Sequence, residues 1–199
     1  MDGDSASVFN DGNIFADVTA VFVKSDFGKF INTGHIRGVN GVFWVGNNTN
    51  GQNSGRIEAT PIGATVGTIG AVGLTGFTAT TFMNSGQLLG TRVSGLFLND
   101  SGVGALARVE NSGLIKSSVI ALNAVGMESA STLNLLNSGT ISGDDAGISL
   151  GGANGHLTNA LSGLIQSSMG RAITTAGVLR LTNHGQVLAT GTGGNFRPY

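Results

Sequence analysis

Residues 135–143 read Leu-Leu-Asn-Ser-Gly-Thr-Ile-Ser-Gly, and residues 146–150 follow as Ala-Gly-Ile-Ser-Leu. At the centre of that stretch, residues 137–141 form a five-residue phrase: Asn, a small or polar residue, Gly, any residue, then an aliphatic. Upstream the phrase occurs as Asn10-Asp11-Gly12-Asn13-Ile14, Asn32-Thr33-Gly34-His35-Ile36 and Asn53-Ser54-Gly55-Arg56-Ile57. It returns as Asn84-Ser85-Gly86-Gln87-Leu88 and Asn111-Ser112-Gly113-Leu114-Ile115. Downstream it is found as the variant Leu161-Ser162-Gly163-Leu164-Ile165 and as Asn183-His184-Gly185-Gln186-Val187. The steps from Gly12 through Gly139 to Gly185 are 22, 21, 31, 27, 26, 24 and 22 residues. A period of about 25 residues is that of a solenoid, in which each repeat is one supersecondary unit stacked on the next.

Each repeat also holds a second extended segment, as in Ala20-Val21-Phe22-Val23, Gly41-Val42-Phe43-Trp44-Val45, Gly95-Leu96-Phe97-Leu98 and Val119-Ile120-Ala121-Leu122. Gly147-Ile148-Ser149-Leu150 and Ala172-Ile173-Thr174-Thr175 continue that series. A third segment is visible in His156-Leu157-Thr158-Asn159 and Val178-Leu179-Arg180-Leu181-Thr182. Alternating short runs bounded by Gly, Asn, Ser and Asp read as strands. Three such strands and three corners fill one repeat, which predicts an all-β, right-handed, three-sided parallel β-helix of about seven coils, roughly 35 Å long at about 4.8 Å per coil. Asn-Ser-Gly also marks hairpin turns, but hairpins do not explain its return at one-coil spacing.

The phrase has a physical reading. Asn and Gly tolerate left-handed backbone, the conformation expected of a sharp corner. Stacking places each Asn over its counterpart, so side-chain amides pass hydrogen bonds from coil to coil. The expected corner ladder is Asn10, Asn32, Asn53, Asn84, Asn111, Asn137 and Asn183, with Gly12, Gly34, Gly55, Gly86, Gly113, Gly139, Gly163 and Gly185, broken once where Leu161 replaces Asn. Ile14, Ile36, Ile57, Leu88, Ile115, Ile141, Ile165 and Val187 form one inward stack. Val8, Phe30, Phe82, Val109, Leu135 and Leu181 sit two residues before the Asn slot, with Gly51 and Asn159 as exceptions.

Composition agrees with this reading. Glycine supplies 34 of 199 residues and proline only two; charged residues are 11% and apolar residues 40%. Disordered chains are apolar-poor and charge-rich, which this chain is not. Collagen needs a three-residue glycine period. No 18-residue apolar run offers a membrane-spanning helix. A net charge of -1 gives no footprint for nucleic acid. Cysteine is absent, so disulfides and thiolate chemistry are excluded. The acidic Met1-Asp2-Gly3-Asp4 start lacks an apolar signal region, which leaves a trimmed fragment or signal-independent export as routes outside the cell.

Over residues 8–190 the repeats resemble those of large bacterial secreted β-helix proteins: adhesin and autotransporter passenger domains, and repeat tracts of proteins exported by type I secretion. The resemblance implies a secreted or surface-exposed structural module. It does not imply calcium, because no Gly-Gly-x-Gly-x-Asp nonapeptide occurs, and no cofactor is expected.

β-Helices also carry polysaccharide lyases and hydrolases, whose chemistry needs clustered carboxylates or a metal. The one adjacent acidic pair, Asp144-Asp145, lies in a Gly-bounded turn and is a weak metal or acid/base candidate; Glu58, Asp100, Glu110 and Glu128 are scattered. His35 and His184 lie about six coils, or 29 Å, apart, and His156 is isolated near a corner. Arg37 and Glu58 occupy equivalent places in neighbouring coils and are expected to pair. Thr78-Ala79-Thr80 occurs once, too little for an ice-binding face. A non-enzymatic role follows as the expectation.

Two features depart from the repeat. The 31-residue step contains a glycine-rich, nearly uncharged tract, residues 58–82, read as a longer coil or an apolar insert in a single domain spanning 1–199. Phe9, Phe15, Phe22, Phe27, Phe30, Phe43 and Trp44 crowd the first 44 residues, as a widened core or as a surface for a partner or sugar. The ends show no amphipathic capping helix. Either the chain is cut from a longer solenoid, or its open ends stack head to tail, a non-closing association that makes a homo-oligomer or filament the expected assembly. Cytoskeletal bactofilins, which polymerise, resemble the chain in that logic, although the Asn-Ser-Gly phrase is not typical of them. The reading is a structural or adhesive extracellular module that self-associates or attaches to a cell surface or polysaccharide; the alternative is a polysaccharide-binding or polysaccharide-degrading β-helix.

Overall fold

The computed structural model describes residues 2–3, 5–60, 70–100, 104–118, 123–127, 131–152 and 154–191. Among them there is no helix, and twenty-four short strands form three eight-stranded sheets. Every pairing is parallel, and each strand pairs with the strand three places on in sequence. This is a three-sided parallel β-solenoid of about seven turns. Each turn contributes one strand to the sheet that ends in Asn (strands such as Lys29–Asn32 and Thr132–Asn137), one to the sheet that follows the corner glycine (His35–Gly38, Thr140–Gly143), and one to the third sheet (Asn40–Val45, Ala146–Leu150).

The register is the one the phrase dictates. Ile14, Ile36, Ile57, Leu88, Ile115, Ile141, Ile165 and Val187 pair in unbroken succession. The six central members are buried, and Ile14 and Val187 are half-buried at the two ends. A second inward column runs Val8, Phe30, Gly51, Phe82, Val109, Leu135, Leu157, Leu181. Leu157 fills the place that the Leu161 alignment had given to Asn159. At Gly51 the Phe82 ring occupies the space a Cβ would need, so the missing side chain is supplied from the next turn. The third sheet contributes Val21, Val42, Val72, Leu96, Val125 and Ile148, stacked in register. Trp44 is buried against Gly28 and donates from Nε1 to Ser25 O at 3.1 Å.

Three local features stand out along the turns. The third-sheet strand of the fifth turn is Asn123–Met127, and the predicted segment 119–122 lies outside the described residues. Much of tract 58–82 is an ordinary turn: Val72–Phe77 and Ala79–Asn84 are regular strands, with Val72 and Phe77 buried. Residues 61–69 of that tract lie outside the described residues. Gly76 has φ +69° where the ladder shifts between Thr75 and Phe77, a bulge that only glycine adopts without strain.

Candidate functional site

The feature repeated on every turn is the corner, and its chemistry is a one-way chain of amides. Asn10 Nδ2 donates to Asn32 Oδ1 at 2.7 Å; Asn32, Asn53, Asn84, Asn111 and Asn137 each donate to the next rung at 2.8 Å. The rung after Asn137 is Asn159, which donates in turn to Asn183 Oδ1 at 2.8 Å. The ladder is therefore unbroken, against the sequence expectation. Ala160 keeps the usual place after the rung, its N–H donating to Asn137 O at 2.8 Å, and Leu161 and Ser162 are two extra residues in an exposed turn before Gly163, with Leu161 86% exposed. Each Nδ2 also donates to the carbonyl of its own corner glycine, as Asn84 does to Gly86 O at 3.3 Å. A buried amide with its donors and acceptor occupied is a stable element, and aligned amides strengthen one another.

The corner glycines serve a different purpose from the one expected. Positive φ occurs among the described residues only at Asn48, Arg92, Gly46, Gly76 and Gly104. The phrase glycines are instead required by close approach. A Cβ on Gly34, Gly55, Gly86, Gly113, Gly139 or Gly185 would overlap the carbonyl oxygen of the corner glycine one turn earlier, and on Gly163 it would overlap Asn159 Oδ1. Gly12 is different: nothing lies within 4 Å of the position its Cβ would take.

The aromatic residues of the first turns divide between core and surface. Phe30 and Trp44 are buried, whereas Phe9 is 65%, Phe15 62% and Phe27 65% exposed, and Phe22 is also exposed. Phe9, Phe15 and Phe22 stand on three different sheets, so exposed rings surround the solenoid at that end. Lys29 Nζ lies 5.8 Å from the Phe9 ring centroid, and the Phe22 and Phe43 rings are 5.5 Å apart.

On the sheet after the corner, Glu58 accepts from His35 Nε2 at 3.0 Å and is bound by the Arg56 guanidinium. Burial pushes its carboxyl up, and the hydrogen bonds and charges of Arg56 and His35 outweigh that, holding it below the usual carboxylate range. Arg37 sits opposite Glu58 in the register as expected, but the carboxylate turns to Arg56 and His35. The expected Arg37–Glu58 pair does not form because Arg56, two residues away on the same strand, reaches Glu58 from the same face. The Phe15 ring meets His35 edge-on at 5.2 Å, and Phe15, Asp17, His35 and Arg37 line a shallow concavity of about 520 Å³.

Asp144 and Asp145 are tied into the next turn: Ser168 Oγ donates to Asp144 Oδ1 at 2.7 Å, and Ser167 Oγ donates to both backbone carbonyls. Among the described residues no three His, Asp or Glu side chains converge as metal ligands, and no helix is long and apolar enough to cross a membrane. His35 and His184 belong to turns six rungs apart, as the sequence implied. Asn159 as a ladder member and Gly12 as an unfilled corner are the two features sequence reasoning missed. The leucine two residues before Asn159, matching Leu135 before Asn137, was the available signal for the first. No family model, no characterised protein and no solved structure matches this chain.

Proposed function

We propose that the chain is a structural and adhesive module: a rigid β-solenoid displayed outside the cell or on its surface, which attaches through its first turns and performs no catalysis. The observation that carries this reading is the ring of exposed phenylalanines. Burying a Phe side chain is worth about 1.5–3 kcal/mol, and this end leaves Phe9, Phe15 and Phe27 largely in water while Phe30 and Trp44 fill the core beside them. Aromatic side chains are enriched at contact surfaces, and here they stand on all three sides of the first turn. The test is adsorption of the purified chain to cell-wall polysaccharide and to hydrophobic beads. A Phe9→Ser/Phe15→Ser/Phe27→Ser variant should keep its Tm and lose at least tenfold in adsorption; unchanged adsorption would refute the reading.

A second reading, a polysaccharide-binding or polysaccharide-degrading β-helix, is favoured by the shared concavity of Phe15 and His35. Turnover of a uronate polymer that falls on His35→Ala or Asp144→Ala would establish it in place of the first.

A further inference from the structure

Seven of the eight phrase glycines are glycine because a neighbouring atom one turn away leaves no room for a Cβ. Gly12 carries the same residue in the same corner with that room empty. The bonds at this corner are incomplete in the same sense. Thr33 and Gly34 donate their N–H groups to Asn10 O at 2.8 and 3.3 Å, but their counterparts Asp11 and Gly12 have no acceptor among the described residues. Asn10 Oδ1 accepts no bond among the described residues either, whereas Asn32 Oδ1 accepts from Asn10.

The opposite end has the complementary groups. Asn183 Nδ2 donates to Gly185 O alone among the described residues; on the preceding rung Asn159 Nδ2 donates both to Gly163 O and to Asn183 Oδ1. The backbone carbonyls of the seven earlier ladder asparagines each accept an N–H from the next turn, and Asn183 O has no next turn among the described residues. Apolar columns match as well: Ile14 and Val187 are the half-buried ends of one stack, and Val8 and Leu181 are the ends of another.

We propose that corner 10–12 is a socket for corner 183–185 of a second copy of this chain. Partner Asn183 Nδ2 donates to Asn10 Oδ1, Asp11 and Gly12 donate to the partner's Asn183 carbonyl, and Gly12 admits the partner's Gly185 carbonyl. Val187 then lies over Ile14 and Leu181 over Val8, so ladder and core run on across the junction. The contact is heterologous and propagates as a filament. It is independent of the adhesive reading, since it uses the ends and not the exposed phenylalanines.

Sedimentation velocity and electron microscopy of the 199-residue chain, from nanomolar to high micromolar, should show concentration-dependent linear assembly. Gly12→Ala should leave circular dichroism and Tm unchanged and weaken assembly at least tenfold. Asn183→Asp keeps the acceptor for Asn159 and removes the outward donor, and it should weaken assembly similarly. Mixing the two variants should restore dimers without filaments, because each retains one competent end. A parent chain that stays monomeric, a Gly12→Ala chain that assembles like the parent, or a mixture that gives no dimers would each overturn the proposal.

Discussion

Asn137 Nδ2 donates a 2.8 Å hydrogen bond to Asn159 Oδ1, four residues before the corner glycine Gly163 and not two. The ladder thus tolerates a change in corner length but not the loss of a rung. Asn159 sits fully buried between Asn137 and Asn183, accepting from one and donating to the other. Asn159→Leu puts an apolar side chain inside the amide ladder and removes its hydrogen bonds to Asn137, Gly163 and Asn183, each lost bond costing about 0.5–1.5 kcal/mol. Urea denaturation should show a loss of about 2–5 kcal/mol, while Leu161→Asn, at an exposed bulge, should stay within about 0.5 kcal/mol of the parent.

Gly86→Ala and Gly12→Ala make the same chemical change in the same motif. At Gly86 the added methyl meets the Gly55 carbonyl oxygen; at Gly12 it meets nothing. Backbone stacked on both sides has little freedom to give, so the first should cost at least about 2 kcal/mol and the second should be neutral in dilute monomer. Equal Tm values for the two would contradict the close-approach account.

Ile115 is fully buried between Leu88 and Ile141. Ile115→Ala should destabilise by about 2–5 kcal/mol through lost burial and a residual cavity. Phe15→Ala, on an exposed ring, should leave the denaturation midpoint nearly unchanged.

Glu58 holds its proton less tightly in the folded state, because Arg56 and His35 bind the charged carboxylate. Its stabilising contribution is fully present above the unfolded-state carboxylate value and fades as pH falls through the lower folded-state value. Parent and Glu58→Gln should therefore differ in stability at neutral pH and converge in acid. A gap that widens on acidification would reverse the assigned sign.

Much of this molecule was legible in its sequence. The recurring phrase gave parallel register directly, since a period of one turn puts like residues over like residues, and Ile36, Ile57 and Leu88 stack as their spacing said. The corner chemistry was half-legible. Side-chain amides on successive turns had to meet, but the reason for glycine was misread as backbone handedness. Close approach of a carbonyl one turn away is a relation between residues more than twenty apart, invisible in the phrase itself. The same holds for Glu58: position placed it opposite Arg37, and side-chain reach delivered it to Arg56 and His35.

The sequence alone determined the period, the three-strand turn and the inward columns, because these follow from local alternation repeated at a fixed step. Tertiary structure decided which aromatics are core and which are surface, since Phe22 and Phe30 differ only in the face their strand positions present. It also decided that Asn159 belongs to the ladder and that Gly12 stands at an unfilled corner. Both depend on what lies one turn above or below, and a linear chain acquires those neighbours only by stacking.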